Sequence, residues 1–171
     1  MANISILLDH ARRIARSLGL TALVIVACLG INVLSIPFLA REYPVYVNHT
    51  EAVAVRAEQL SRPWQDLVVA TPVVEELLMR GPIFLILLLL SYVGLAEQRR
   101  YKYLLYSMII LAGAWFGIAH VLNGGVYVAP SKIVSISLQG VLLGALMLRT
   151  RNIIYPVLAH GGINALMLGM G

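Results

Sequence analysis

Residues 17–40 read SLGLTALVIVACLGINVLSIPFLA, 24 residues without an Asp, Glu, Lys or Arg. An α-helix rises about 1.5 Å per residue, so this stretch is long enough to cross a hydrocarbon core of about 30 Å. Residues 103–131 and 152–171 are equally free of these four residue types. A soluble domain of this size could not bury three such segments away from water. The sequence therefore predicts an all-α polytopic transmembrane helix bundle.

The composition of the whole chain agrees with this class. Of 171 residues, 60% are hydrophobic and 12% are charged, whereas soluble domains average about 45–50% and about 25%. We expect a single membrane domain, with residues 1–62 forming an N-terminal amphipathic helix (2–16), a first span and an outer loop, and residues 63–171 forming a four-helix core. The five predicted spans are residues 17–40, 63–96, 102–122, 131–149 and 153–169. A short surface helix is expected near residues 51–60, and a loop is expected to begin at Asn123.

The net charge of +5 is better explained by membrane topology than by a nucleic-acid partner. The basic residues lie at the ends of spans, and five spans bring three of their clusters to one side. The positive-inside rule makes that side cytoplasmic, so we expect the N-terminus inside and the C-terminus outside. The three clusters are Arg12, Arg13 and Arg16; Arg99, Arg100 and Lys102; Arg149 and Arg151.

The second predicted span contains three charged residues, although a charge at mid-bilayer costs about 2.5–3.5 kcal/mol on insertion scales. Glu76 and Arg80 have i,i+4 spacing with the acid first, which favours a helical ion pair. Glu75 lies about 100° around the helix and is free to face a shared cavity. Pro72 and Pro82 flank this region and predict bends with unpaired carbonyls. Since partial desolvation makes a glutamate a better base, Glu75 is the candidate general base.

Two later spans add polar residues with the same i,i+4 spacing. His160 and Asn164 reach one spot from one helix face, where their N–H groups suit a developing oxyanion. Phe116 is placed to pack against the imidazole of His120. A structural polar network or a proton path would also use such residues, but the residue types taken together favour chemistry. Gly140 and Gly144 form a GxxxG pair that predicts close helix packing.

Three motifs in this order resemble those of the CPBP family of intramembrane proteases, which includes CAAX prenyl endopeptidases and bacteriocin-processing, Abi-type proteins. Residues 75–80 (EELLMR) match its EExxxR motif, residues 116–120 (FGIAH) its FxxxH motif and residues 160–164 (HGGIN) its HxxxN motif. Met79 stands where many members have Phe or Tyr. The resemblance implies hydrolysis of a peptide bond at or within the membrane.

By this resemblance, Glu75 and His120 would activate a water, and His160 with Asn164 would stabilise the oxyanion. Glu76, Arg80 and Phe116 would support the site, and residues 63–171 would form the catalytic four-helix core. A zinc-dependent enzyme would use Glu75, His120 and His160 as ligands. However, the chain has no HExxH pair, and Asn164 fits an oxyanion hole better than a ligand set. We therefore expect a glutamate-type protease with no metal or other cofactor.

The expected partners are the lipid bilayer and a membrane-anchored protein or peptide substrate, with no nucleic acid. The positions of the candidate residues along their helices place the site mid-membrane, towards the outside. This suits cleavage of C-terminal sorting signals, a role that the resemblance to small prokaryotic relatives implies, and a prokaryotic cytoplasmic membrane is the expected location. A non-enzymatic scaffold or bacteriocin-immunity factor that binds a partner through the same polar cavity is the main alternative. A small transporter is a third, disfavoured because no inverted repeat is present.

Overall fold

The computed structural model describes residues 2–46, 61–123 and 130–169, and within these residues it contains helices and no β-strand. The prediction of an all-α bundle is confirmed. A five-residue π-helical turn, Asp66–Ala70, leads directly into the second long helix. The five long helices of the described residues are α1 (Ala2–Tyr46), α2 (Thr71–Tyr92), α3 (Arg99–Asn123), α4 (Pro130–Thr150) and α5 (Ile154–Gly169).

Three of these helices are long and apolar enough to cross a membrane. They contain the apolar segments Ser5–Phe38, Arg99–His120 and Pro130–Thr150. Helix α2 is 22 residues long but includes three charged side chains, and α5 is a shorter apolar helix of 16 residues. Large hydrophobic side chains are exposed along all five helices, as expected where lipid rather than water covers the surface. The chain is an integral membrane protein.

Helix α1 differs from the prediction of a separate amphipathic segment. Residues 2–16 are helical, but they continue into residues 17–40 as one helix of 45 residues. The change in hydrophobic pattern at Ser17 is not accompanied by a proline, and a single Gly19 weakens a helix without ending it. The predicted surface helix at residues 51–60 and the loop from Gly124 lie outside the described residues.

Helix α2 ends earlier than predicted, at Tyr92 instead of residue 96. Gly94 has φ +72°, the left-handed conformation with which many helices end. The N–H groups of Leu95 and Ala96 both bond to the Leu90 carbonyl, at 2.7 and 3.0 Å. The chain therefore turns at Gly94 towards α3.

Helix α4 lies at the centre of the bundle and contacts each of the other four helices. Small residues let it approach α3 closely. A Cβ added to Gly140 would lie 2.9 Å from the Cα of Gly113, and one added to Gly144 would meet Ile109 at 2.7 Å. The predicted role of the GxxxG pair in packing is confirmed.

Helix α1 packs on α4 and α5. Polar groups contribute to this contact, because Nε2 of Gln139 donates to Oδ1 of Asn32 at 2.8 Å. Gln139 therefore connects α1 and α4 through one N–H of its amide.

Candidate active site

The π turn at the start of α2 makes two backbone carbonyls available to α5. The Thr71 N–H bonds to the Asp66 carbonyl, five residues earlier. Pro72, the next residue, has no N–H that could bond to the Leu67 or Val68 carbonyl. The Leu67 carbonyl instead accepts a hydrogen bond from Nδ2 of Asn164 at 2.9 Å. The Val68 carbonyl lies against Gly161, where an added Cβ would come within 2.4 Å of its oxygen. This contact brings α5 against the helix that carries Glu75 and Glu76.

Glu76 and Arg80 form a fully buried ion pair within α2. Arg80 Nη1 lies 2.6 Å from Glu76 Oε2, and the two side chains are 1% and 0% exposed. Arg80 Nη2 also donates to the Gly140 carbonyl at 2.8 Å, and its guanidinium lies 5.2 Å from the ring centre of Phe116. Helical spacing predicted the ion pair, and the structure contains it. The additional contacts fix Arg80 between α2, α3 and α4.

His160 lies between the two adjacent carboxylates of α2. Its Nδ1 is 3.0 Å from Glu76 Oε1, and its Nε2 is 3.6 Å from Glu75 Oε2. Glu76 is paired with Arg80 and can only accept a hydrogen bond, so Nδ1 of His160 carries the proton of that bond. Glu76 therefore fixes the orientation of the imidazole and turns Nε2 towards Glu75.

Glu75 is the more accessible of the two carboxylates. Its side chain is 28% exposed, compared with 0% for Glu76. Oε2 of Glu75 is nevertheless buried, and it has no hydrogen-bond partner within the described parts of the chain. A carboxylate oxygen that is shielded from solvent and has no hydrogen-bond partner can accept a proton from a bound molecule.

Phe116 joins the two histidines of the site. Its ring makes edge-to-face contacts with His120, with ring centres 4.5 Å apart, and with His160 at 5.8 Å. Nδ1 of His120 lies 2.9 Å from the Phe116 carbonyl, and a carbonyl can only accept, so Nδ1 donates. In the neutral imidazole Nε2 of His120 is then the free acceptor.

The structure brings most of the residues singled out from the sequence into one cluster. Direct contacts link Glu75, Glu76, Arg80, His160 and Phe116, and His120 joins them through Phe116. Asn164 is one turn from His160 on α5, but its described hydrogen bond is to Leu67. Because an amide nitrogen carries two N–H groups, this bond leaves one of them for another acceptor.

Sequence reasoning missed the backbone groups of the site and the partner of His160. The carbonyls of Leu67 and Gly140 accept bonds from Asn164 and Arg80, and Gly161 allows the close approach of α5. Two signals were present in the sequence: Pro72, which removes a backbone donor, and the glycine that directly follows His160. Neither signal reveals which helix supplies the partner.

The described residues contain no group of three His, Cys, Asp or Glu side chains close enough to hold one metal ion. The zinc set considered above, Glu75, His120 and His160, therefore does not come together as a ligand cluster in the part of the chain that the structure describes. Nδ1 of His120 and Nδ1 of His160 both hold hydrogen bonds to protein oxygens. These bonds leave Nε2 of each ring as the nitrogen that can meet another partner.

A family model described as type II CAAX prenyl endopeptidase Rce1-like matches residues 63–166. The match covers more than half of the chain and includes every candidate site residue. The chain belongs to this family. As a member of the type II CAAX prenyl endopeptidase Rce1-like family, it is an intramembrane protease of the CAAX type that acts on a membrane-associated peptide or protein. Neither the curated proteins nor the solved structures contain a match to the chain.

Proposed function

We propose that the protein is a glutamate-type intramembrane endopeptidase in which Glu75 activates a water against a peptide bond. The observation that carries this proposal is the position of Glu75 Oε2, which is buried, has no hydrogen-bond partner within the described residues and lies 3.6 Å from His160 Nε2. That distance is longer than a good hydrogen bond, so a water can bind beside Oε2 of Glu75 as an additional partner. A water bound there would touch the base directly.

In the proposed first step the water oxygen attacks the carbonyl carbon of the scissile bond, and Glu75 takes a proton from the water. Nε2 of His120 accepts a hydrogen bond from the other O–H of the water and orients it, and that hydrogen stays on the water oxygen. The carbonyl π bond opens, and its electrons move to oxygen to give a tetrahedral oxyanion. Binding the water between Glu75 and His120 would lower the barrier, because the water and its base are held in place before the reaction.

The oxyanion is stabilised by His160 and Asn164. Nδ1 of His160 donates to Glu76, so Nε2 can donate to the oxyanion only when the imidazole carries both protons. The charges of Glu75, Glu76 and Arg80 sum to −1, and a doubly protonated His160 would bring this cluster to neutrality. The second N–H of Asn164 is the other donor. Preorganised donors of this kind contribute about 2.7–4 kcal/mol each.

In the second step the C–N bond breaks and the oxyanion collapses to a carboxylic acid. Glu75 returns its proton to the leaving nitrogen, so that a free amine departs and the base is regenerated. Glu76, Arg80 and Phe116 act as positioning residues, because their described contacts are with other members of the site. The scheme consumes one water and requires no oxidant or cofactor.

Independence from metal is part of the proposal and has its own test. The support is that Glu75, His120 and His160 do not form a group close enough to hold one ion within the described residues. Purified protein treated with a strong chelator should retain its cleavage rate, and its zinc content should be far below one ion per chain. Stoichiometric zinc in the active protein, together with loss of activity on its removal, would contradict the glutamate-type mechanism.

For the substrate we propose a secreted protein whose C-terminal membrane anchor is a sorting signal. Glu75 lies four residues after the start of α2 at Thr71 and 17 residues before its end at Tyr92, which is about 6 Å and about 25 Å along the helix. The site is therefore near the end of α2 that is far from Arg99 and Arg100. If the basic end is cytoplasmic, this position favours a substrate approached from the outer side.

The scaffold or immunity-factor alternative is favoured by one observation. His160, Asn164 and Arg80 each bond to another helix or turn of the bundle, and such contacts would also serve a purely structural network. This alternative requires a partner bound through the cavity, and it predicts that an uncharged isostere of Glu75 keeps the biological effect. Proteolysis predicts the opposite.

The experiment compares the membrane and secreted proteomes of cells that carry wild type, Glu75→Gln or Asp9→Asn, by mass spectrometry of terminal peptides. Asp9→Asn is the matched control, since it makes the same acid-to-amide change at an exposed position of α1. A new terminus present with wild type and Asp9→Asn but not with Glu75→Gln would support proteolysis and name the substrate. If no terminus changes while Glu75→Gln still rescues a deletion phenotype, the proteolytic function is wrong and the scaffold function replaces it.

A further inference from the structure

A second polar region lies at the opposite end of the bundle from Glu75. A pocket opens between the end of α2, the start of α3 and the turn that joins α4 to α5. We call this the basic-end pocket; it is lined by Leu87, Leu105, Leu148, Lys102, Arg149 and Arg151, together with Ala96, Glu97 and Tyr106. None of these residues belongs to the candidate active site.

The charges of the basic-end pocket are arranged around one carboxylate. Lys102 Nζ lies 2.6 Å from Glu97 Oε2, and Arg151 Nη2 contacts the other oxygen of the same carboxylate. Arg149 lines the pocket and has no ion-pair partner in the described parts of the chain. Three cations and one carboxylate leave a formal charge of +2. Glu97 thus holds two cations at the mouth while the pocket as a whole favours an anion.

The apolar side of the pocket indicates what kind of anion it fits. Leu87 and Leu105 are 4% and 3% exposed and form the inner wall together with Leu148. A small soluble anion gains nothing from contact with apolar side chains. A phospholipid, in contrast, carries an anionic phosphate and apolar acyl chains in one molecule. Basic pockets between transmembrane helices are known to bind anionic lipid headgroups.

We propose that the basic-end pocket binds an anionic phospholipid, with its phosphate contacted by Arg149, Lys102 and Arg151. The first part of an acyl chain lies along Leu148 and the exposed ring of Tyr106, next to the inner wall of Leu87 and Leu105. Arg149 makes the principal contact, because Glu97 already engages the other two cations. The positive-inside distribution of charge alone would predict only a diffuse attraction, in which every basic residue at this end contributes alike.

The test uses the purified full-length chain in a neutral detergent, with native mass spectrometry to count bound lipids. Phosphatidylglycerol is added to wild type, Arg149→Gln and Arg13→Gln, and phosphatidylcholine is added in parallel. Arg13→Gln removes the same charge from an exposed position of α1 outside the pocket. Lys102→Gln is a second pocket variant in case Arg149→Gln does not fold, and inorganic phosphate in place of lipid tests whether a free anion suffices.

Wild type should retain phosphatidylglycerol in preference to phosphatidylcholine. Arg149→Gln should weaken retention about fivefold, since one basic side chain near anionic lipid is worth about 1 kcal/mol, and Arg149→Lys should restore most of it. Arg13→Gln should leave retention unchanged. Equal losses in Arg13→Gln and Arg149→Gln, equal retention of the two lipids, or binding of inorganic phosphate as tight as that of phosphatidylglycerol would each overturn the proposal.

Discussion

Nδ1 of His160 lies 3.0 Å from Oε1 of Glu76, although the two residues are 84 positions apart in the chain. This bond connects α5 to α2 in the interior of the bundle. Glu76 is at the same time the partner of Arg80, so one carboxylate neutralises a buried cation and orients an imidazole. The orientation of the candidate site therefore depends on a residue that we place outside the chemical steps.

Glu76→Gln tests this double function. The substitution keeps the shape of the side chain but leaves the buried charge of Arg80 without its counter-ion, which typically destabilises a protein by about 3–5 kcal/mol. We expect a clearly lower unfolding temperature in detergent and a slower cleavage rate. Glu97→Gln, which removes an exposed carboxylate from an ion pair, is the control and should change the unfolding temperature little. Equal effects of the two variants would contradict the importance of the buried pair.

Gly161→Ala tests the contact between α5 and the π turn. An added Cβ would lie 2.4 Å from the Val68 carbonyl oxygen, and backbone must move to relieve such a clash. We expect a loss of about 1–3 kcal/mol in unfolding free energy, as for other overpacked sites, and a lower activity. Gly19→Ala, which meets nothing within 4 Å, should be neutral or slightly stabilising. If Gly161→Ala and Gly19→Ala have the same unfolding free energy and activity, the close contact of α5 with the Val68 carbonyl is wrong.

Pro72→Ala tests whether the missing N–H creates the π turn. Alanine supplies a donor to the carbonyls before it, which should extend regular α-helix through Asp66–Ala70 and compete with Asn164 for Leu67. We expect activity to fall about 10- to 100-fold, because small displacements of reacting groups have effects of this size. Hydrogen exchange should show greater protection at the start of α2. Pro82→Ala, at an exposed position of the same helix, should retain activity; an equal loss there would contradict the account.

A pH prediction concerns Glu97, which lies between α2 and α3. Its hydrogen bond with Lys102, and the charges of Lys102 and Arg151, lower the pKa of Glu97 below its ordinary value. Because the pKa is lowered in the folded state, this ion pair stabilises the fold above the ordinary glutamate pKa. The contribution is lost as the pH falls through the folded value. A side-chain carboxyl titration by NMR should give a low midpoint that Lys102→Gln raises, and an unshifted midpoint would contradict the contact.

Much of the fold follows from local pattern in the sequence. Uncharged stretches, prolines and glycines located the helices, and α5 was placed within one residue at its start. The ion pair of Glu76 and Arg80 also follows from spacing, because residues four apart on a helix are neighbours whatever surrounds them. The end of α2 was misplaced because nothing local requires Gly94, rather than a later residue, to adopt a left-handed conformation.

The contacts between helices could not be predicted in the same way. The partner of His160 is decided by how α5 is rotated and shifted against α2, and that depends on the Leu67 and Val68 carbonyls released near Pro72. The sequence indicated unpaired carbonyls but not that Asn164 would reach one of them. The pairing of Asn32 with Gln139 was missed for the same reason, since it depends on the packing of α1 against α4.

The most direct test of the proposed mechanism is cleavage of the identified substrate by purified protein in H₂¹⁸O, comparing wild type with Glu75→Gln. The account predicts that wild type places one solvent oxygen in the new terminal carboxyl group. Glu75→Gln should lower the cleavage rate by at least about 100-fold, in the range expected for loss of a general base, and should leave the unfolding temperature close to that of wild type. A folded Glu75→Gln protein that retains more than about a tenth of the wild-type rate would contradict the assignment of Glu75 as the base.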